Sequence, residues 1–318
     1  MKSYIGLLST ILISVFLTAC AKNINNIYIV EQECPHQKDT TNTGEGHKRR
    51  SALLFNASIE SINNTKSLSA MRKNEIAEIL VFRNNPQQLS DPYKVVDYKT
   101  ITAGVLSPIG KDTLYLPGGV YSLYSLSNNS AEYPPKSVNG ITEPLKSGVD
   151  YLWWKAENFQ IEAPVVVVPV FYVHSATQIV IQLKAGNGVR LNKLLSTKIY
   201  PSANGAQMNL LNGIIPQTDK YAKEPVEMGV SDFVAQYTML PLKTDEPMTA
   251  YFTVLINDEL KERTFKVEIK LPAKGLETGH SYLFEALINA NTIQFTDVNV
   301  IDWIIVDQTG KPLYPSQV

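Results

Sequence analysis

The side chains of this chain that could do chemistry are few and dispersed. Cysteine occurs only at Cys20 and Cys34, and histidine only at His36, His47, His174 and His280. None of these lies at the spacing that closes a metal site, and His174, set in an apolar stretch, reads as a packed or hydrogen-bonded structural histidine. There is no G-x-S-x-G elbow, phosphate-binding glycine loop or dinucleotide fingerprint, and no carboxylate pair stands out as acid and base for sugar hydrolysis. An enzyme is therefore not expected, and neither is a cofactor or a metal. The adjacent Trp153 and Trp154, close to Tyr151, offer binding rather than catalysis. In a strand they face opposite ways, so one ring enters a core while the other could stack on a sugar. The competing reading buries both rings at a domain junction.

Cys20 has the most specific setting. Met1-Lys2 opens an apolar run through Phe16 and Leu17, followed by Thr18-Ala19-Cys20. The run is short of the roughly 20 apolar residues that span a bilayer, and has the positive start and apolar core of about 7–15 residues of an export signal. Leu17-Thr18-Ala19-Cys20 resembles the lipobox of bacterial lipoproteins, in which the thiol is acylated and the preceding peptide bond cut. Residues 1–19 would then be a signal peptide and Cys20 the first mature residue, carrying palmitate-like chains. Each buried methylene contributes about 0.8 kcal/mol, so two or three chains anchor firmly without a membrane helix. With Cys20 acylated, Cys34 has no partner for an intrachain disulfide.

Stability must then come from burial. The apolar fraction, 44%, is ordinary for a globular protein, and the length admits two domains. Formal net charge is −1 with dispersed basic residues, which argues against a nucleic-acid partner. Residues 20–50 read as a tether, with one β-branched island at Ile27-Tyr28-Ile29-Val30 and a basic end, Gly46-His47-Lys48-Arg49-Arg50, of the kind that proteases cut.

Beyond Arg50 the pattern is all-β. Short runs rich in Val, Ile, Thr, Tyr and Phe are separated by turn residues. In Thr264 to Leu271 the apolar Phe265, Val267, Ile269 and Leu271 share one face. Val165 to Phe171 is apolar throughout, as in a strand covered on both faces, although Pro169 implies a bulge or an edge. The best helical candidate is only Arg190 to Ser196. One-sided sheets must cover one another, so the expectation is two tandem antiparallel β-sandwich domains, residues 51–160 and 161–318, with a C-terminal tail. Leu116 to Tyr121 and Leu276 to Tyr282 form an internal echo, each a glycine-containing turn ahead of a tyrosine-led strand.

Four stretches carry a resemblance to the fimbrillin-like family of type V pilin subunits. They are Val168 to Ala176 leading into Ile179 to Leu183, the segment GAQMNLLNG from Gly205 to Gly213, the turn Leu276 to Tyr282, and the closing Val298 to Trp303. A weaker match covers Leu53 to Phe82 and the Leu116 to Tyr121 turn. The resemblance implies a non-enzymatic fibre subunit with two transthyretin-like sandwiches, exported as an outer-membrane lipoprotein, displayed at the cell surface or in fimbriae, and serving adhesion. In polymerising members an arginine-directed protease removes the lipidated N-terminal segment with its first strand, and a neighbour's C-terminal strand fills the groove. On this chain the removable strand would be Ile27, Tyr28, Ile29 and Val30, and the cut Arg49 or Arg50, with Arg72 competing. Pro312 and Pro315 interrupt the tail as a donor strand, which favours a tip or accessory subunit. The partners implied are other pilin subunits, the outer membrane through lipid, and a glycan or protein receptor on a host or bacterial surface. An uncut anchor subunit and a tethered glycan binder are the alternatives.

Overall fold

A computed structural model of the protein describes residues 50–303, apart from 61–67, 84–85, 111–112, 223 and 258–260. Cys20, Cys34, Ile27 to Val30, Arg49 and the tail from Ile304 lie outside the described residues. Every regular element among those described is a strand.

The first lobe is a sheet closed on itself. Its strands are β1 (Arg50–Glu60), β2 (Leu68–Ala70), β3 (Ile76–Arg83), β4 (Lys94–Thr102), β5 (Val105–Pro108), β6 (Leu114–Pro117) and β7 (Gly119–Ser127). A small hairpin, β8 (Ser137–Val138) with β9 (Ile141–Thr142), precedes β10 (Leu152–Ile161) and β11 (Val165–His174). Pairing runs from β1 through β5, β4, β3, β7, β10 and β11 and back to β1, with β2 and β6 also on β1. The closing pair, β1 with β11, is parallel, from Ala52 opposite Val165 to Ile59 opposite Tyr172. A parallel pair needs a long crossover. Here the crossover is the remainder of the lobe.

The second lobe stacks two sheets. One orders β15 (Gly229–Ser231), β16 (Val234–Met239), β12 (Thr177–Ala185), β19 (Ser281–Ile288) and β20 (Ile293–Ile301). The other orders β14 (Val226–Glu227), β13 (Leu191–Tyr200), β17 (Met248–Ile256) and β18 (Arg263–Ile269). Alternation assigns the faces. In β17, Met248, Ala250, Phe252, Val254 and Ile256 are buried while the residues between them are half-exposed. Full burial of a side chain such as Phe252 contributes about 1.5–3 kcal/mol. β18 keeps Phe265, Val267 and Ile269 on one face, as its sequence predicts.

Several expectations need correction. The sheets are not purely antiparallel, because β12 and β19 form a second parallel pair. The run Arg190 to Ser196 is not helical; it opens β13, which pairs with β17 through two register shifts that break its period-two pattern. Residues Val165 to Phe171 are not covered on both faces: Val168 and Val170 are buried, whereas Val165, Val167 and Phe171 point outward and are exposed. Strands covered on both faces include β3 and β7. In β3, Ala77, Ile79 and Val81 join the first core, while Leu80 and Phe82 belong to a cluster continuous with the core of the second lobe. Strand pairing places the change of sheet at Ser175–Ala176, after β11, whereas residue 160 lies within β10.

The internal echo recurs as geometry. At the start of β7 the Tyr121 hydroxyl donates to the Pro117 carbonyl at 2.8 Å; at the start of β19 the Tyr282 hydroxyl accepts from the Glu277 N–H at 3.1 Å. Each tyrosine closes the turn that feeds its own strand. Gly279, at φ +76°, holds the second turn in a region that residues with a Cβ enter only at a cost.

Candidate functional site

The structure brings Arg50, the Val165 to His174 strand and the tryptophan pair into one lobe, with a half-open seam between β10 and β11. β11 pairs along its length with β1 on one side. On the other it meets β10 only where Leu152 and Trp153 oppose His174 and Val173, joined further by the Ser175 N–H to the Tyr151 carbonyl at 2.8 Å. Beyond Trp153, β10 follows β7, with a register shift between Ala156 and Phe159 and Asn158 at φ +55°. A bulge bends its strand and unpairs the ladder locally. Pro169 therefore sits in the part of β11 that has a single partner strand among the described residues, the place in a sheet where a missing N–H is tolerated.

Alongside this seam runs an apolar row. Val165, Val167, Pro169 and Phe171 of β11 alternate outward. Leu54 of β1 lies in register with Val167, and Tyr115 of β6 opposite Ala52. Leu54, Tyr115, Val165, Val167 and Phe171 each keep 39–56% of their surface exposed. An apolar patch of this kind on a water-facing sheet is characteristic of an interaction surface.

Behind the row, buried polar groups of β3, β7 and β11 are hydrogen-bonded to one another. The buried Ser125 hydroxyl donates to the Glu78 carbonyl at 2.8 Å, so the fully buried Tyr172 hydroxyl is the donor in its 2.6 Å bond with Ser125. Burial pushes the Tyr172 phenol well above its usual range. Glu78 is also buried, and desolvation raises its carboxyl, with Lys136 at 3.6 Å drawing it back only in part.

The two candidate cleavage arginines among the described residues differ in setting. Arg50 is exposed at the very start of β1, opposite Pro117. Arg72 is tied down: its Nε donates to Glu75 Oε1 at 2.7 Å, its backbone N–H to Glu75 Oε2 at 2.9 Å, and its carbonyl accepts from the Thr100 hydroxyl. Burial raises the Glu75 carboxyl, and the adjacent Arg72 opposes that by charge and hydrogen bonding.

His174 is structural in its contacts. Its Nδ1 donates to Asp150 Oδ1 at 2.7 Å, and its ring stacks on Trp303 with centroids 4.0 Å apart. Asp150 Oδ2 accepts from Asn129 Nδ2 at 2.8 Å. The end of β11, where the seam begins, thus also holds the last described residue of the chain. Its importance escaped the sequence, since Trp303 and His174 are far apart along the chain.

The two tryptophans pack against cores rather than standing free. Trp154 is 7% exposed, inside the first core, and presents no face to a sugar. Trp153 packs half-buried against the second core, its Nε1–H donating to the Leu210 carbonyl at 2.9 Å and its indole resting against Gly213. Opposite facing holds, but the two faces of β10 meet two cores.

The fimbrillin-like family model matches residues 68–303. Among solved structures, the fold is similar to a candidate cell adhesion protein from Bacteroides ovatus, with TM-score 0.60 and 17% identity over 81% of this chain and 99% of that one. Similar proteins from Bacteroides uniformis (TM-score 0.57, 16% identity, 80% and 99% covered) and Bacteroides fragilis (0.53, 14%, 80% and 98%) share it. At these identities the likeness is one of fold. No curated protein matches. With the family model running from β2 to Trp303, through both lobes and the seam, the chain belongs to the fimbrillin-like family.

Proposed function

We propose that this protein is a pilin-like adhesion subunit of a surface fimbria, exported as a lipoprotein through Cys20 and assembled by strand exchange. The observation that carries the reading is the seam: among the described residues, one edge of β11 has no partner strand over most of its length, beside an exposed apolar row. An extended strand from a neighbouring subunit adds to such an edge through main-chain hydrogen bonds, and its alternate side chains gain apolar contacts. Arg49 or Arg50 is the favoured cut. Arg50 is exposed and precedes the buried part of β1, so cleavage there leaves the closed sheet intact, whereas cleavage at Arg72 would have to undo its bonds to Glu75 and Thr100. The removable strand is Ile27 to Val30, and the proline-interrupted tail favours a tip or accessory position over a stalk. Two tandem transthyretin-like domains, with the expected 160/161 boundary moved to the end of β11, belong to the same reading, as do outer-membrane anchoring before cleavage and non-enzymatic function.

The test is intact mass and N-terminal sequencing of the protein from its native cells, with and without an inhibitor of arginine-specific proteases. A mature start at Arg50 or Ser51, lost with the inhibitor and in an Arg49→Ala/Arg50→Ala variant, is expected. A lipidated Cys20 start under every condition would leave an anchor subunit instead.

A further inference from the structure

Away from the seam, a cleft of about 560 Å³ lies between the β8–β9 hairpin and residues 205–220. Its volume is that of a small-molecule site. Four carboxamides line it, and Lys220 is the only charged residue among the described lining residues. No carboxylate is present to hold a cation, and one ammonium is too little for a polyanion.

Each carboxamide is fixed by one end. Gln207 Nε2 donates to the Thr142 carbonyl at 2.7 Å, and Gln217 Nε2 to the Lys274 carbonyl at 2.7 Å. Asn209 Oδ1 accepts from the Leu211 N–H at 3.0 Å, and Asn212 Oδ1 from the Ile214 N–H at 3.0 Å. Two amide oxygens and two amide NH₂ groups are thereby held ready for a ligand. The Thr218 hydroxyl accepts from the Lys220 N–H at 3.1 Å, which leaves its own proton to give. Donors and acceptors side by side suit a ligand whose groups are each both, and that is the chemistry of a sugar hydroxyl. Ile141 and Ile214, 39% and 49% exposed, supply apolar ground for the C–H face of a ring.

The array is also rigid. The Gly213 N–H bonds to the Asn209 carbonyl at 2.8 Å, the Asn209 N–H to the Ile214 carbonyl at 3.0 Å, and the Trp153 indole braces the same turn through Leu210 and Gly213. Rigid polar groups lose little freedom on binding. We infer that this cleft is a binding site for a neutral oligosaccharide, with Gln207, Asn209, Asn212 and Gln217 as its hydrogen-bonding residues. Trp153 is a positioning residue beneath it rather than a stacking platform.

The test is titration of the exported chain by calorimetry and NMR with lactose, N-acetyllactosamine, maltotriose and mannotriose. Neutral oligosaccharides released from host mucin and from bacterial capsule follow, to separate the two sources of the same chemistry. At least one neutral probe should bind, shifting the side-chain amide signals of this cleft. Asn212→Asp keeps the acceptor for Ile214 but loses the NH₂ donor, and Gln207→Ala removes an acceptor; each should weaken binding about tenfold at an unchanged unfolding midpoint. Absence of binding by every probe at millimolar concentration overturns the inference. So does binding confined to acidic sugars, or binding indifferent to both substitutions.

Discussion

Gly213→Ala is the sharpest test of the contact that Trp153 makes with the second lobe. Gly213 has φ +70°, and a Cβ built there comes within 2.7 Å of indole Cγ and closer still to Cδ2 and Cε3, where carbon atoms normally rest about 3.5–4.0 Å apart. The left-handed backbone costs an L-residue about 1–2 kcal/mol, and the overlap, if the indole yields only in part, about 1–3 kcal/mol more. The stiffer unfolded chain returns about 0.4–1 kcal/mol. The net loss expected is about 1–4 kcal/mol. Trp153→Ala alone removes the indole and its hydrogen bond to Leu210, and in that background Gly213→Ala should cost only about 1 kcal/mol, the backbone share. Equilibrium urea unfolding followed by far-ultraviolet circular dichroism measures all four corners of the cycle without relying on Trp153 as a fluorophore. Equal costs of Gly213→Ala in both backgrounds would refute the packing argument.

Other outcomes follow from the same geometry. Ser125→Ala leaves the buried Tyr172 hydroxyl without its acceptor and should cost about 1–3 kcal/mol, while Ser125→Ala/Tyr172→Phe should cost less than the sum of its single changes; strict additivity in urea unfolding would contradict the hydrogen bond between them. Burial raises the Glu78 pKa in the folded state above its ordinary value of 4.5, so this carboxyl's contribution is fully present below about that pH and is lost as pH rises through the higher folded value. Glu78→Gln should therefore be more stable than the parent near neutrality, with a flatter dependence of melting temperature between pH 4.5 and 7; an unchanged slope would show that Glu78 does not set it. Val167→Lys and Phe171→Lys place charge on the outward row and should alter folding stability by no more than about 0.5 kcal/mol. Both should abolish incorporation into fimbriae, read as loss of co-purification with the other pilin subunits, and incorporation that persists in both variants would remove the row from assembly.

Much of this molecule was legible in the sequence because much of it is local. Period-two alternation in Thr264 to Leu271 placed β18 and its buried face, and the glycine turns before Tyr121 and Tyr282 marked two strand starts whose tyrosines do close those turns. The ordered run of motifs from Val168 to Trp303 pointed to the family that the chain belongs to. Such patterns survive in one dimension because a strand's faces and a turn's dihedrals are set by neighbouring residues. What only the tertiary structure decided was pairing at long range. The parallel alignment of β1 with β11 leaves no local trace, and it turned an apparently two-sided apolar strand into one with an exposed row. Packing at long range likewise set Trp153 and Trp154 against different cores and brought Trp303 onto His174. A sequence states which residues alternate; only the partners supplied by distant segments determine which face meets water.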